Sequence, residues 1–135
     1  MISLKFSHIG VAVPSIEQAL PTYQAVFGYV ILSGPFHDPV QKVSVCFLGT
    51  GEFGDLVTEL VAPADEHSPI SKILANGVGA YHICYEVEDI EDTLAYVRSK
   101  GCIVIGKPAP AVAFEGRRIA WFYTPTRQLV EVVER

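Results

Sequence analysis

Apolar and polar positions along the first half of the chain predict one strand, one helix and three further strands. Residues 5–13 alternate or run apolar with β-branched content, which is typical of a strand. Ser15 is a good N-cap, apolar residues recur at helical spacing from Ile16 to Phe27, and Gly28 provides a helix end. The three following strands are predicted at 29–36, 42–49 and 55–62. The pattern of this half is therefore βαβββ.

The second half repeats this order after a connector. Ser68 and Pro69 mark the start of a short connecting helix, and Asn76 with Gly77 marks its end. A strand at 80–87, a helix capped by Asp89, and three more strands near 102–106, 117–124 and 128–134 are then predicted. We therefore expect one α+β domain of two packed modules, because neither module is large enough to bury its own sheet. The predicted boundaries are 4–62 for module one, 63–78 for the connector helix and 79–135 for module two.

The repeat is visible in the residues as well as in the elements. The thirteen residues that begin at His8 and the thirteen that begin at His82 are identical at six positions. Farther along, Thr58-Glu59-Leu60-Val61 matches Val130-Glu131-Val132-Val133, and the spacing from histidine to glutamate is nearly the same in both halves. A duplicated pair of histidine and glutamate indicates one metal site built from two half-sites.

Strand geometry supports this interpretation. Side chains alternate faces along a strand, so His8 points away from the apolar residues Ile9, Val11 and Val13, which suit a helix. If the first and last strands of a module are neighbours, histidine and glutamate on the same face lie directly opposite each other, close enough to bind one ion. Two neutral imidazoles and two carboxylates balance a divalent cation, and mixed nitrogen and oxygen ligands favour a first-row transition metal over calcium or magnesium. The predicted metal ligands are His8, Glu59, His82 and Glu131.

Composition narrows the class of protein. At 135 residues the chain is long enough for one domain with a real core, and 50% hydrophobic with 19% charged residues excludes a disordered chain. A net charge of -5 without a basic run argues against nucleic acid as a partner. No apolar run approaches the roughly 20 residues that span a bilayer, so no membrane span is expected. The first residues lack the features of a signal peptide, from which we predict a cytoplasmic protein with reduced cysteines.

Other polar and aromatic residues have less support as site residues. His37 and His67 lie in turn-like segments and are predicted to be surface residues. Glu17 and Glu91 lie in first helical turns, where a carboxylate favours the helix dipole. Glu86 is a strand residue in phase with His82, and Cys84 is a thiol predicted to be buried. The basic pair Arg117-Arg118 is typical of a solvated edge. Trp121 and Tyr123 are either core residues or the floor of a binding site.

With these residues the chain resembles the vicinal oxygen chelate superfamily, which includes glyoxalases, methylmalonyl-CoA epimerases, extradiol dioxygenases and antibiotic-resistance proteins. Within it, the methylmalonyl-CoA epimerases are the most similar group. The matching segments begin at His8, Glu59, Ser68 and His82, and the last is Leu129-Val130-Glu131. The resemblance implies two tandem βαβββ modules that form an open, cup-shaped mixed sheet around a metal, with helices on the outer face and the same four ligands.

The resemblance also implies a function. We expect a metal-dependent isomerase, epimerase or lyase that abstracts a proton next to a carbonyl, with Glu131 as the base and Glu59 as the alternative base. The metal would be Zn, Co, Ni or Mn, the substrate a small molecule with vicinal oxygens or a thioester, and the assembly a homodimer. Two alternatives stay open: a lyase similar to glyoxalase I that acts on lactoylglutathione, and a non-catalytic protein that binds a small molecule.

The sequence departs from the epimerase pattern in three segments. One is Glu115-Gly116-Arg117, which keeps only the glycine and the basic residue of a His-Gly-Lys stretch of the epimerases. Epimerases of this type carry a second glutamate on a middle strand of module one, and Val43-Ser44-Val45-Cys46 offers no acid there. The segment before the last strand is the short Thr124-Pro125-Thr126-Arg127-Gln128, which replaces a glycine-rich stretch of the epimerases. A second base and a coenzyme A surface therefore do not follow from the sequence.

Overall fold

The computed structural model describes residues 2–135, and these form two compact units. One unit is His8–Tyr81, and the other combines the residues up to Ser7 with His82–Arg135. The described residues contain three α-helices, eight strands and one short 3-10 helix. No helix among them is both long and apolar enough to cross a membrane. The predicted α+β class with a mixed sheet is confirmed.

The first unit contains the predicted βαβββ elements followed by the connecting helix. The elements are β1 (Lys5–Ala12), α1 (Ile16–Phe27), β2 (Val30–Asp38), β3 (Val43–Gly49), β4 (Thr58–Pro63) and α2 (Pro69–Ala75). The strand order is β2-β3-β4-β1, in which β1 runs parallel to β4 and the other neighbours are antiparallel. The first and last strands of the module are therefore neighbours, which is the condition that contact between histidine and glutamate requires.

The second unit repeats this plan. Its elements are β5 (Ala80–Val87), α3 (Ile90–Ser99), β6 (Ile103–Pro110), the 3-10 helix (Val112–Phe114), β7 (Arg118–Tyr123) and β8 (Leu129–Glu134). The order is β5-β8-β7-β6, with β5 parallel to β8 and antiparallel pairing elsewhere. The internal repeat in the sequence thus corresponds to a repeat in strand order and direction.

The predicted helix boundaries depend on short-range hydrogen bonds that the structure contains. The hydroxyl of Ser15 accepts a hydrogen bond from the backbone N–H of Gln18 at 3.3 Å, and the carboxylate of Asp89 accepts one from Asp92 at 2.9 Å. Each satisfies a backbone donor that has no partner within its helix. At the end of α1, Gly28 has φ of 70°, a left-handed conformation that glycine adopts without steric cost.

In each unit, a helix covers one face of the sheet. Ile16 of α1 belongs to a buried cluster with Cys46, Leu48 and Leu60. In the second unit the corresponding cluster joins α3 to β5, β7 and β8, and its buried members are Val87, Ile90, Leu94, Val97, Ala120, Phe122, Val130 and Val132. The histidines and glutamates of the repeat belong to neither cluster. Their side chains lie on the sheet face that the helix leaves uncovered, as the strand periodicity predicts.

Two predicted strand boundaries are wrong by three residues or more, and both errors have local causes. Strand β4 begins at Thr58 rather than at 55 because Asp55 closes the preceding loop by accepting hydrogen bonds from the Thr50 hydroxyl and the Leu56 backbone. Strand β6 continues to Pro110 rather than ending at 106. Its pairing with β7 shifts register between Ile105 and Ala109, so the strand continues past Gly106 and Pro108.

We predict that Leu94→Ala lowers the free energy of unfolding by about 2–5 kcal/mol, because it removes a leucine side chain from a closed core and leaves a cavity. Leu94 is only 4% exposed. The matched control is Val26→Ala on α1, since Val26 is 68% exposed, and it should change the free energy by less than about 0.5 kcal/mol. Urea unfolding followed by circular dichroism measures both values. Equal effects would contradict the assignment of α3 to the core.

Candidate metal centre

The parallel pairing of β1 and β4 brings His8 and Glu59 together. The residue opposite Glu59 is Gly10, so His8 lies two residues farther along the same face of β1. Its Nε2 atom is 3.3 Å from Oε1 of Glu59. The prediction that the two residues lie directly opposite each other is therefore wrong by one step of the pleat. Because glycine has no side chain, the position opposite the glutamate leaves room for its carboxylate to reach the imidazole.

The second unit contains the same arrangement. Cys84 is the residue opposite Glu131 in the pairing of β5 with β8, and His82 is again two residues away on the same face. Nε2 of His82 lies 3.4 Å from Oε1 of Glu131. A small residue again occupies the opposite position. The duplicated spacing in the sequence thus becomes a duplicated diagonal contact, with nearly equal distances.

All four side chains are removed from solvent. Relative exposure is 1% for His8, 5% for Glu59, 2% for His82 and 3% for Glu131. Burying a carboxylate without compensation costs several kcal/mol or more, so each glutamate depends on a nearby donor or positive charge. In each unit the imidazole of the histidine is the group that lies beside the carboxylate. One nitrogen and one carboxylate oxygen per unit is also a ligand pair that borderline transition metals favour, so the residues fit the predicted metal.

In each unit an aromatic ring packs against the histidine of the pair, and the sequence repeat did not reveal this ring. Phe47 lies opposite Glu59 in the sheet and packs edge to face on His8, with ring centroids 5.3 Å apart. Trp121 lies opposite Glu131 and packs in the same way on His82 at 5.0 Å. No repeated motif surrounds these two residues. Each position is on the third strand of its module, and only the register of that strand with the last one identifies it.

The basic pair of the sequence has a structural role at Arg118. Its guanidinium donates hydrogen bonds to both oxygens of Glu91, at 2.7 and 3.0 Å, and to Glu134. Glu134 also accepts a hydrogen bond from the backbone N–H of Ile90, so these contacts join β7 and β8 to the start of α3. The hydrogen bonds from Arg118 hold the pKa of Glu91 below its usual value. Arg117 is exposed, and its Nε donates to the carbonyl of Phe114.

The structure places the other polar candidates away from such pairs, except for Cys84, which lies opposite Glu131. His37 and His67 are exposed, as predicted, and Glu17 is exposed in the first turn of α1. Glu86 is partly buried and lies 3.4 Å from the guanidinium of Arg135. The three cysteines form no disulfide, as predicted: Cys46 and Cys84 are buried, and Cys102 is partly buried.

Comparison with known proteins agrees with this fold. The family model described as the Glyoxalase/Bleomycin resistance protein/Dioxygenase superfamily matches residues 7–121. The chain belongs to this superfamily. The resemblance inferred from the sequence is thereby confirmed.

Relatives within the superfamily include epimerases. The ethylmalonyl-CoA/methylmalonyl-CoA epimerase of Cereibacter sphaeroides is 30% identical over 121 residues, which cover 88% of this chain and 87% of the relative. Among solved structures, a hypothetical protein from Bacillus halodurans C-125 is 34% identical with a TM-score of 0.84, covering 98% of this chain and 95% of that one. A glutamate-to-glutamine variant of the Streptomyces coelicolor methylmalonyl-CoA epimerase, in complex with 2-nitronate-propionyl-CoA, is 28% identical with a TM-score of 0.80, covering 98% of both chains.

Proposed function

We propose that the two pairs, His8 with Glu59 and His82 with Glu131, together bind one divalent transition metal. The observation that carries this proposal is a buried histidine–glutamate contact that recurs in the same strand register in both units. Two carboxylates with two neutral imidazoles carry a charge of about -2, which a divalent cation neutralises. Zn, Co, Ni and Mn all accept this mixed set of nitrogen and oxygen ligands.

The protein is proposed to be an epimerase that acts on an acyl thioester of coenzyme A with a second carbonyl on the α carbon. The epimerase from C. sphaeroides and the S. coelicolor structure with a coenzyme A ligand support this class of substrate. The reaction removes the α proton and returns it on the other face of the carbon. When bound, a divalent metal stabilises the negative charge that develops on the substrate oxygen.

Glu131 is the proposed base. A carboxylate held at a fixed position by the sheet can accept the α proton and later return it, which contributes typically about 10²- to 10⁴-fold to the rate. The contact with His82 orients this carboxylate, because the imidazole nitrogen lies beside one of its oxygens. The other oxygen can then approach the substrate. Burial of both side chains leaves few water molecules to compete with the substrate for this carboxylate.

Glu59 is the alternative base, because the strand beside it offers no acid. On β3 the residues that share the face of Glu59 are Val43, Val45 and Phe47, all buried. Asp38, opposite Val43 on β2, already accepts hydrogen bonds from the residues of its own turn. In the described part of the first unit, Glu59 is thus the carboxylate on this face that is left for proton transfer.

The metal proposal predicts that Zn²⁺ or Co²⁺ raises the stability of metal-free protein. A ligand present at 100 times its Kd stabilises the folded state by about 2.7 kcal/mol. His8→Ala and His82→Ala should each abolish most of this gain, because each removes one ligand. His67→Ala is the matched control, since that side chain is 72% exposed, and it should retain the full gain. Thermal unfolding with and without metal measures the effect, and a wild-type protein that no transition metal stabilises would exclude the site.

The epimerase proposal predicts that the protein exchanges the α proton of methylmalonyl-CoA with heavy water. Loss of the α-proton signal in NMR spectra measures this exchange. Glu131→Gln should slow it by about 10²- to 10⁴-fold, because the amide cannot accept the proton. The exposed control Glu66→Gln should exchange at the wild-type rate, since its side chain is 87% exposed.

Glu59→Gln distinguishes loss of the base from loss of a metal ligand, because Glu59 is the residue equivalent to Glu131 in the other pair. If Glu131 abstracts the proton, its variant should lose more exchange than the Glu59 variant at equal metal content, measured by elemental analysis. Equal losses would contradict the assignment of Glu131. Absence of exchange in the wild type, together with turnover of the adduct of methylglyoxal and glutathione, would instead favour the lyase.

A further inference from the structure

The two aromatic rings that pack on the histidines differ in exposure. Phe47 is only 7% exposed, and its neighbours on the same strand face, Val43 and Val45, are also buried. Trp121 occupies the corresponding position of the second unit but is only partly buried. The next residue on the same face, Tyr123, is 39% exposed. The aromatic position is therefore closed in the first unit and open to solvent in the second.

The open face continues onto the neighbouring strand. In the pairing of β6 with β7, Ile105 lies opposite Trp121 and Ile103 opposite Tyr123. These isoleucines are 42% and 67% exposed. Trp121 is in turn opposite Glu131 in the sheet and in contact with His82. An apolar surface thus runs from the partly buried Trp121, beside the buried histidine–glutamate pair, to exposed residues at the edge of the sheet.

From this asymmetry we infer that Trp121 is a substrate-contacting residue, against which the acyl group of the thioester packs beside Glu131. This inference rests on the proposed epimerase function. An apolar surface next to a carboxylate suits a substrate whose reacting carbon carries a short alkyl branch, because the branch is desolvated while the α proton faces the base. Ile105 would extend this surface for a longer branch. Trp121 would therefore influence which acyl groups are accepted.

The indole also offers a polar contact that phenylalanine lacks. Among residues 2–135, no acceptor receives a hydrogen bond from the Trp121 N–H. A half-buried indole normally uses this donor, and a carbonyl or carboxylate oxygen of the substrate is a suitable acceptor. The side chain can thus combine an apolar wall with one directional hydrogen bond. Specific pockets usually contain this combination.

Trp121→Phe and Trp121→Ala distinguish contact with substrate from support of His82. The phenylalanine variant keeps a ring against the histidine, as Phe47 does for His8, but lacks the N–H and part of the surface. We expect both variants to raise KM for methylmalonyl-CoA, the alanine variant by about tenfold or more, with kcat little changed. Zn²⁺ affinity of the phenylalanine variant, measured by competition with a chelator, should be unchanged. The control Phe27→Ala, an exposed aromatic residue of the first unit, should leave KM unchanged.

Intrinsic fluorescence provides a direct measurement, because Trp121 is the single tryptophan. Addition of 2-nitronate-propionyl-CoA to the wild-type metal-loaded protein should change its emission with the same Kd that calorimetry gives. Binding in calorimetry without a change in emission, and with wild-type KM in both variants, would overturn the role of Trp121 and leave the epimerase function intact. No binding in calorimetry, together with no proton exchange, would overturn the function and this inference with it.

Discussion

The parallel pairing between the first and last strands of each module is the constraint on which the site depends. Histidine and glutamate are far apart in sequence, and only this pairing brings them within 3.3 and 3.4 Å. Parallel neighbours cannot be joined by a tight turn, so a long connection is required, and here it consists of one helix and two strands. The helix of that connection also covers the opposite face of the sheet. The same chain segment thus enables the contact and builds the core.

The division of the sheet into two faces resolves a conflict between stability and chemistry. Buried carboxylates oppose folding unless a partner compensates them, whereas a base needs an environment with little water. Apolar residues pack against α1 and α3 on one face, which stabilises the unit without involving the polar pair. The other face can then hold histidine and glutamate at the cost of local stability. Because the two faces are separate, one strand can contribute both to the apolar core and to the polar pair.

Sequence alone predicts the elements that depend on local patterns and fails where contacts are distant. Apolar periodicity and the caps at Ser15 and Asp89 located the helices because these signals lie within a few residues. The two-residue offset between histidine and glutamate depends on strand register, which no local pattern encodes. The ion pairs of Arg118 with Glu91 and Glu134 join three separate elements, so the basic pair resembled a solvated edge. The histidine and glutamate of each contact were predictable only because the repeat marked them twice.

Duplication followed by divergence explains why the two units differ around the same contact. The proposed function uses the same histidine–glutamate pair in each unit, so the two pairs are expected to match. Substrate binding has no such requirement, because a single molecule needs one surface for its acyl group. The aromatic position is therefore free to differ, and it is a buried phenylalanine in one unit and a partly exposed tryptophan in the other. Symmetry in the histidine–glutamate pairs, together with asymmetry in the aromatic residues beside them, is the pattern expected when a repeated fold acts on an asymmetric substrate.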